Sequence, residues 1–247
     1  MERRSLIPLA AALVLSTAVA SVAWVSVKTE NRATIDVTGS AKRRITSDLI
    51  EWGATLSVRQ PDRVEASRAL KKHVEKTLAY LKAQGVKDEE IRVSSMSMEE
   101  ASEVEYVGSG EERVERTVSR GFDAQQTVSV RSADVARVER ISREVTNLLE
   151  DGVPVVSGQP AYLYTKLGEL KIEMLAEASR DARTRAQRMI ESAGGDASLG
   201  ELVSVDMGVI NVNPANSTST DWQGNNDTSS LDKDIITIVH VRYRVDS

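Results

Sequence analysis

The residues able to do chemistry in this chain are few and scattered. Its two histidines are His73, in a helical segment beside Lys71 and Lys72, and His240, in a strand segment on the face opposite Val239 and Val241. A metal site would need companion ligands at fixed spacing, and neither histidine has them. Both read as surface residues. Serine is frequent, but no Gly-x-Ser-x-Gly elbow occurs, and two lone histidines give a hydroxyl little to pair with. The acidic groups Asp88-Glu89-Glu90, Glu99-Glu100 and Glu111-Glu112 carry the functional groups of glycosidase acids or calcium ligands, yet they stand in charged turns and read as solvated surface. Gly108-Ser109-Gly110 lacks the lysine and following helix of a phosphate loop. Cysteine is absent, which removes disulfides, thiolate nucleophiles and thiolate metal sites. Met96, Met98, Met174, Met189 and Met207 offer thioethers to an oxidant, but methionine commonly fills core gaps and that is the reading preferred here. The sequence thus names no catalytic residue, no metal ligand and no cofactor. The chain reads as a non-enzyme, with an enzyme lacking recognisable motifs as the remote rival.

Composition sets the remaining bounds. A chain of 247 residues with 40% hydrophobic content can bury one large core or two small ones. A net charge of -5 without a basic stripe argues against nucleic acid as a partner. At the amino end Arg3 and Arg4 precede an uncharged run from Ser5 to Val27, which has the character of an export signal. Ala18-Val19-Ala20 and Ser21-Val22-Ala23 both offer a cleavage pattern, but the run is long enough to span a bilayer. With Leu6, Leu13, Val14, Leu15, Val19, Val22 and Val25 in the apolar phase and Trp24 suited to the far interface, the preferred reading of residues 1–28 is an uncleaved anchor. Either way the rest of the chain is expected on the periplasmic side of a cell envelope, anchored in the inner membrane or, if cleaved, soluble or outer-membrane associated.

The elements that would position any site follow from periodicity. Leu170, Met174, Leu175, Ala178, Ala182, Ala186, Met189, Ile190 and Ala193 recur every three or four residues, predicting an amphipathic helix from Gly168 to a stop at Gly194-Gly195. Earlier, Ala33–Gly39 and, after the basic run Ala41-Lys42-Arg43-Arg44, Leu49–Val58 alternate and predict a strand pair. Pro61 to Gly85 predicts a helix, and Ile91–Met98 a third strand. Two long polar strands then flank a tip at Gly108–Gly110. Phe122–Val130, a helix capped by Ser132, and Val155–Tyr164 lead to the long helix, and Leu202–Ile210 with Ile235–Val245 close the chain. The polar stretch 211–230 reads as a mobile loop carrying Trp222. The predicted class is α+β, a long amphipathic helix on an antiparallel-rich sheet preceded by the apolar amino-terminal helix. Residues 31–99 and 167–247 form a first α+β unit, and 100–166 a second unit inserted into it.

Four stretches in fixed order, ATIDVTGSA, GVKDEEIRVSSMSM, GFDAQQTVSV and AEASRDARTRAQRMIESAGG followed by LGELVSV, resemble the SIMPL-domain family of envelope proteins. The resemblance implies a two-part α+β fold, an envelope address, closed homo-oligomers and, for some members, a link to oxidative stress; it implies no catalytic residues. The expectation is a non-catalytic, self-assembling envelope protein with a structural or stress-protective role. The alternative is a binding or transport module whose assembly encloses a pore or chamber. The charged outer face of the long helix, with Arg180, Arg183, Arg185 and Arg188, and the loop residue Trp222 are the places where a second copy would be sought. The membrane and the chain itself are the expected partners, and no small-molecule ligand is legible.

Overall fold

A computed structural model describes residues 33–108 and 113–246. The anchor segment 1–28, with Leu6, Leu13, Val14, Leu15, Val19, Val22, Trp24 and Val25, lies outside the described residues, as do Glu111 and Glu112 at the expected hairpin tip. No helix among the described residues is long and apolar enough to cross a membrane.

The described residues build two antiparallel sheets. The first has the order β1-β9-β8, from β1 (Thr34–Thr46), β9 (Asp232–Asp246) and β8 (Ser198–Pro214). The second has the order β3-β5-β2-β6, from β3 (Ile91–Val93), β5 (Val114–Ser132), β2 (Leu49–Gln60) and β6 (Val155–Ser157); β4 (Ser97–Val107) pairs with β5, and β7 (Ala161–Leu163) with β2. Helices α1 (Arg63–Ala83) and α2 (Val135–Glu144) pack on the second sheet, and α3 (Leu167–Ala193) packs on the first. The α+β class and antiparallel-rich sheets agree with the sequence reading.

The strand pairing does not agree. β1 and β2 were expected side by side, but β1 pairs along its whole length with β9, from Thr34↔Arg244 to Thr46↔Asp232, while β2 pairs with β5. The basic run Ala41–Arg44 lies within β1. Ala41 points inward, Lys42 and Arg44 reach Asp234 on one side, and Arg43 reaches Glu173 on the other, so each charge finds a partner without breaking the alternation. The crossing between sheets occupies only Ser47 and Asp48, whose amides donate to Leu231 and Leu163 carbonyls at 2.9 and 3.0 Å. Everything from β2 to β7 therefore belongs to the second sheet, and the insertion into the first begins near residue 49 instead of residue 100.

Local capping explains the starts of α1 and α2. Asp62 accepts from the amides of Val64 and Glu65 at 2.8 and 3.2 Å, so Pro61 stands just before the cap and not inside the first turn. Asp134 caps α2 by accepting from Arg137 N at 3.1 Å, while Ser132, the expected cap, accepts from Asp134 N. The expected strand Val155–Tyr164 is split into β6 and β7 at Gly158-Gln159-Pro160, where the Gly158 amide bonds to the Gly53 carbonyl. The expected strand Ile91–Met98 is likewise split between β3 and β4.

The long helix buries less than its periodicity promised. Leu170, Met174, Ala178, Ala182, Ala186 and Ile190 are buried, a single row spaced by four residues. Leu175 flanks that row half-buried, whereas Met189 and Ala193, expected inward, are exposed. The row is narrow because its centre is alanine packed against glycine: a Cβ built on Gly39 would lie 2.1 Å from the Ala178 carbonyl oxygen and 2.6 Å from the Ala182 amide nitrogen. Backbone meets backbone there.

Two outcomes follow for unfolding measured by denaturant or heat. Met174→Ala should cost about 2–5 kcal/mol as a buried large-to-small change, while Arg183→Ala should stay within about 0.5 kcal/mol. Gly39→Ala should destabilise at least as much as Met174→Ala, although it adds only one methyl group, because helix and strand must separate to admit it.

Candidate functional site

The residues singled out for chemistry do not converge. His240 is exposed, its Nδ1 3.0 Å from Thr38 Oγ1. His73 is half-buried on α1, and its pKa is pushed down by burial and by Lys76 and Lys72. Among the described residues no group of three or more histidines and carboxylates gathers round one point. Glu90 departs from the solvated reading. It accepts hydrogen bonds from Ser132 and, at 3.0 Å, from Arg137, which also donates to the Gly85 carbonyl at 2.6 Å. Burial opposes ionisation of Glu90, but the Ser132, Lys87 and Arg137 contacts outweigh it and hold its pKa below the usual range. Glu90 thus clamps the end of α1 to the start of α2. Of the methionines, Met174 is core and Met96 and Met98 pack against core, while Met189 and Met207 are exposed.

The polar stretch after β8 is tied down by its own amides. β8 continues to Pro214, and Asn211 and Asn213 are buried. Asn211 Oδ1 accepts from Asp221 N at 2.9 Å, Asn213 Nδ2 donates to the Ser219 carbonyl at 2.6 Å, and Asn225 Nδ2 donates to Asn213 Oδ1 at 2.5 Å. Two buried charges lock its ends. Asp234 accepts from Arg44 at 2.9 and 3.0 Å, from Lys42 at 3.0 Å and from Asn216 N at 2.8 Å. The Lys233 ammonium, 1% exposed, donates to the Asp227 carbonyl at 2.5 Å and carboxylate at 3.1 Å. Trp222 stands at the tip, 88% exposed, on a turn closed by Gly224 N to the Asp221 carbonyl. The alternation Asn211-x-Asn213 in phase with β8 was the sequence signal for this order; composition alone hid it.

The two edges of the first sheet are treated differently. On the β1 side, Asp181 of α3 accepts the Ser40 amide at 2.8 Å, Arg185 pairs with Asp181 at 2.9 Å, and Arg43 bonds Glu173 and Glu177. Of the four arginines expected to await a partner, Arg185 is therefore spent on this side. Arg180, Arg183 and Arg188 are exposed and in no ion pair among the described residues. On the β8 side the helix gives no such cover. Val205 and Met207 stand opposite Val241 and Val239, which are buried beneath α3, so all four share one face. Yet Met207 is 66% exposed, and Leu202, Val203, Val205 and Val209 are exposed with it. The result is an apolar edge strand, open to a further strand and irregular in register at three places.

A family model described as SIMPL, protein of unknown function (DUF541), matches residues 35–237. No curated protein matches the chain.

The buried carboxylates set an acid limit on the loop. Hydrogen bonds from Arg44 hold the Asp234 pKa well below the carboxylate range against the effect of burial, and for Asp227 the opposing burial is outweighed by Ser229, Ser230 and Lys233. A depressed folded-state pKa contributes stability that is complete above the unfolded value of about 3.9 and is lost as pH falls through the folded value. The thermal midpoint should therefore drop below about pH 4. Asp234→Asn should remove part of that drop and cost about 1–3 kcal/mol at neutral pH.

Proposed function

The chain belongs to the SIMPL family, and from that membership together with the open β8 edge we propose that it is a non-catalytic cell-envelope protein that self-assembles into a closed oligomer. Its exported part lies on the periplasmic side, and the apolar segment 5–27 holds it to the inner membrane. A structural or stress-protective role follows from the family resemblance.

The observation that carries this reading is the contrast between the two edges. A strand whose outer edge is unpaired and carries exposed Val205, Met207 and Val209 is a template for another strand, and proteins ordinarily blunt such edges with charge, proline or cover. Here the β1 edge has cover, and β8 holds only Glu201 and Asp206 as charges along its exposed length. An antiparallel copy centred on Val205 would set Val203 against Met207 and Ser204 against Asp206, with no like charges opposed. Beyond Phe122 the β4–β5 ribbon is two-stranded, held by Arg120 with Glu103 and Glu105 and by the Arg113 guanidinium 4.0 Å from the centre of the Tyr106 ring. A lone ribbon of this kind gains from a neighbour.

Light scattering on the full chain in detergent should return a discrete mass above that of one chain. Val205→Lys and Met207→Lys, placing charge on the open edge, should weaken association about tenfold or more, roughly 1.4 kcal/mol, with unchanged circular dichroism. Monomers alone at micromolar concentration would overturn the proposal.

A further inference from the structure

The open face of the second sheet carries a concavity that the assembly reading does not use. In register across the strands lie Arg92, Ser129 and Gly53, and in the next row Arg131 and Glu51. Gly53 and Ser129 leave a floor with almost no side chain, while Arg92, Arg131 and Gln159 rise around it, bordering an open depression of about 470 Å³. Arg131 engages Glu51 through Nε at 2.9 Å, and a guanidinium has further donors on its two Nη groups. Arg92 makes no ion pair among the described residues. In a chain of net charge -5, this depression holds two guanidiniums against one carboxylate that is already paired.

Arg131 also lines a second concavity, of about 250 Å³, where the two sheets meet. Its walls are mainly apolar: Ile45, Leu49, Leu163, Tyr164, Leu167 and Val212. The charges there, Lys233 and Asp227, satisfy each other. The junction is built by hydrogen bonds from Tyr162 N to the Thr228 carbonyl at 2.7 Å and from Thr165 N and Oγ1 to the Asp48 carboxylate at 2.8 and 2.7 Å. A cationic chamber with a small-residue floor thus adjoins an apolar one, and one arginine borders both.

We infer that these adjoining concavities form a binding site for a small amphipathic anion, its acidic group held by Arg92 and Arg131 and its apolar body between the two sheets. Planar guanidinium donors match a carboxylate or other oxyanion, and their combined positive charge excludes a cationic head of the same shape. The combined space falls within the range of small-molecule sites.

The test uses the full chain in detergent, with a detergent blank, and calorimetric titration of 4-phenylbutyrate. The expected result is saturable binding at one site per chain, with little binding of butyrate, which lacks the apolar body, or of 4-phenylbutylamine, which reverses the charge. Arg92→Glu should weaken 4-phenylbutyrate binding by about tenfold or more. Gly53→Val, whose Cβ meets only ordinary contacts at 3.4 Å, should block the floor while leaving every charge in place. Val205→Lys should bind as the parent does, since the open edge lies on the other sheet. Thermal midpoints within a few degrees of the parent would show that the variants remain folded. Equal binding of the amine, no saturable binding of the acid, or an affinity unmoved by both Arg92→Glu and Gly53→Val in folded protein would overturn the inference.

Discussion

The first sheet depends on one contact, the meeting of α3 and β1 at Gly39. Three alanines four residues apart let the helix backbone descend until only a hydrogen atom fits at position 39. Once the helix is seated there, its position over the sheet is fixed. Glu173, Glu177, Asp181 and Arg185 come within reach of β1, and the Ser40 amide gains a carboxylate partner. The same displacement withdraws cover from β8 on the far side. A protected edge and an exposed one are therefore two consequences of one close approach, and the asymmetry that underlies the assembly reading begins with a missing side chain.

Buried charge plays a comparable organising part after β8. An unpaired ammonium or carboxylate inside a protein is costly, and each charge here is positioned where a partner already stands. Lys233 turns its ammonium to Asp227, and Asp234 is surrounded by Arg44, Lys42 and the Asn216 amide. Consecutive residues of β9 point to opposite faces, so adjacent charges secure the two ends of the segment: Lys233 its return at Asp227, Asp234 its departure at Asn216. Trp222 is presented between these fixed points, on a turn with its own hydrogen bonds.

The second sheet meets a different constraint. Its helix-covered face is a continuous apolar core from Ile50, Trp52, Ala54 and Leu56 to Val138 and Ile141, whereas its open face keeps polar and small residues. Small residues on an open face leave depressions between the long side chains beside them. The row through Arg92, Ser129 and Gly53 is such a place, and the neighbouring apolar chamber exists only because the first sheet abuts the second at that end. The binding inference thus joins a property of one sheet to a property of the junction.

The sequence by itself determined the elements whose burial follows a simple period. The alternation Ile50, Trp52, Ala54, Leu56 identified the buried face of β2, the four-residue recurrence identified α3, and the family resemblance rested on four motifs in order. Element types, helix ends near Gly85 and Gly194, and the surface character of His240 were legible for that reason. Only the tertiary structure decided which strands pair, because period two describes a face and not a neighbour: β1 and β2 follow each other in sequence, yet β1 pairs with β9 and β2 with β5. It also decided that α3 buries one row instead of a broad stripe, since helical phase cannot report the closeness permitted at Gly39. The order of the 211–230 stretch, the role of Glu90 and the nearness of Arg92 to Arg131 were hidden for the same reason. The last two rest on contacts and registers between segments some forty residues apart, and the first on side-chain amides that cap backbone within the segment; composition encodes neither.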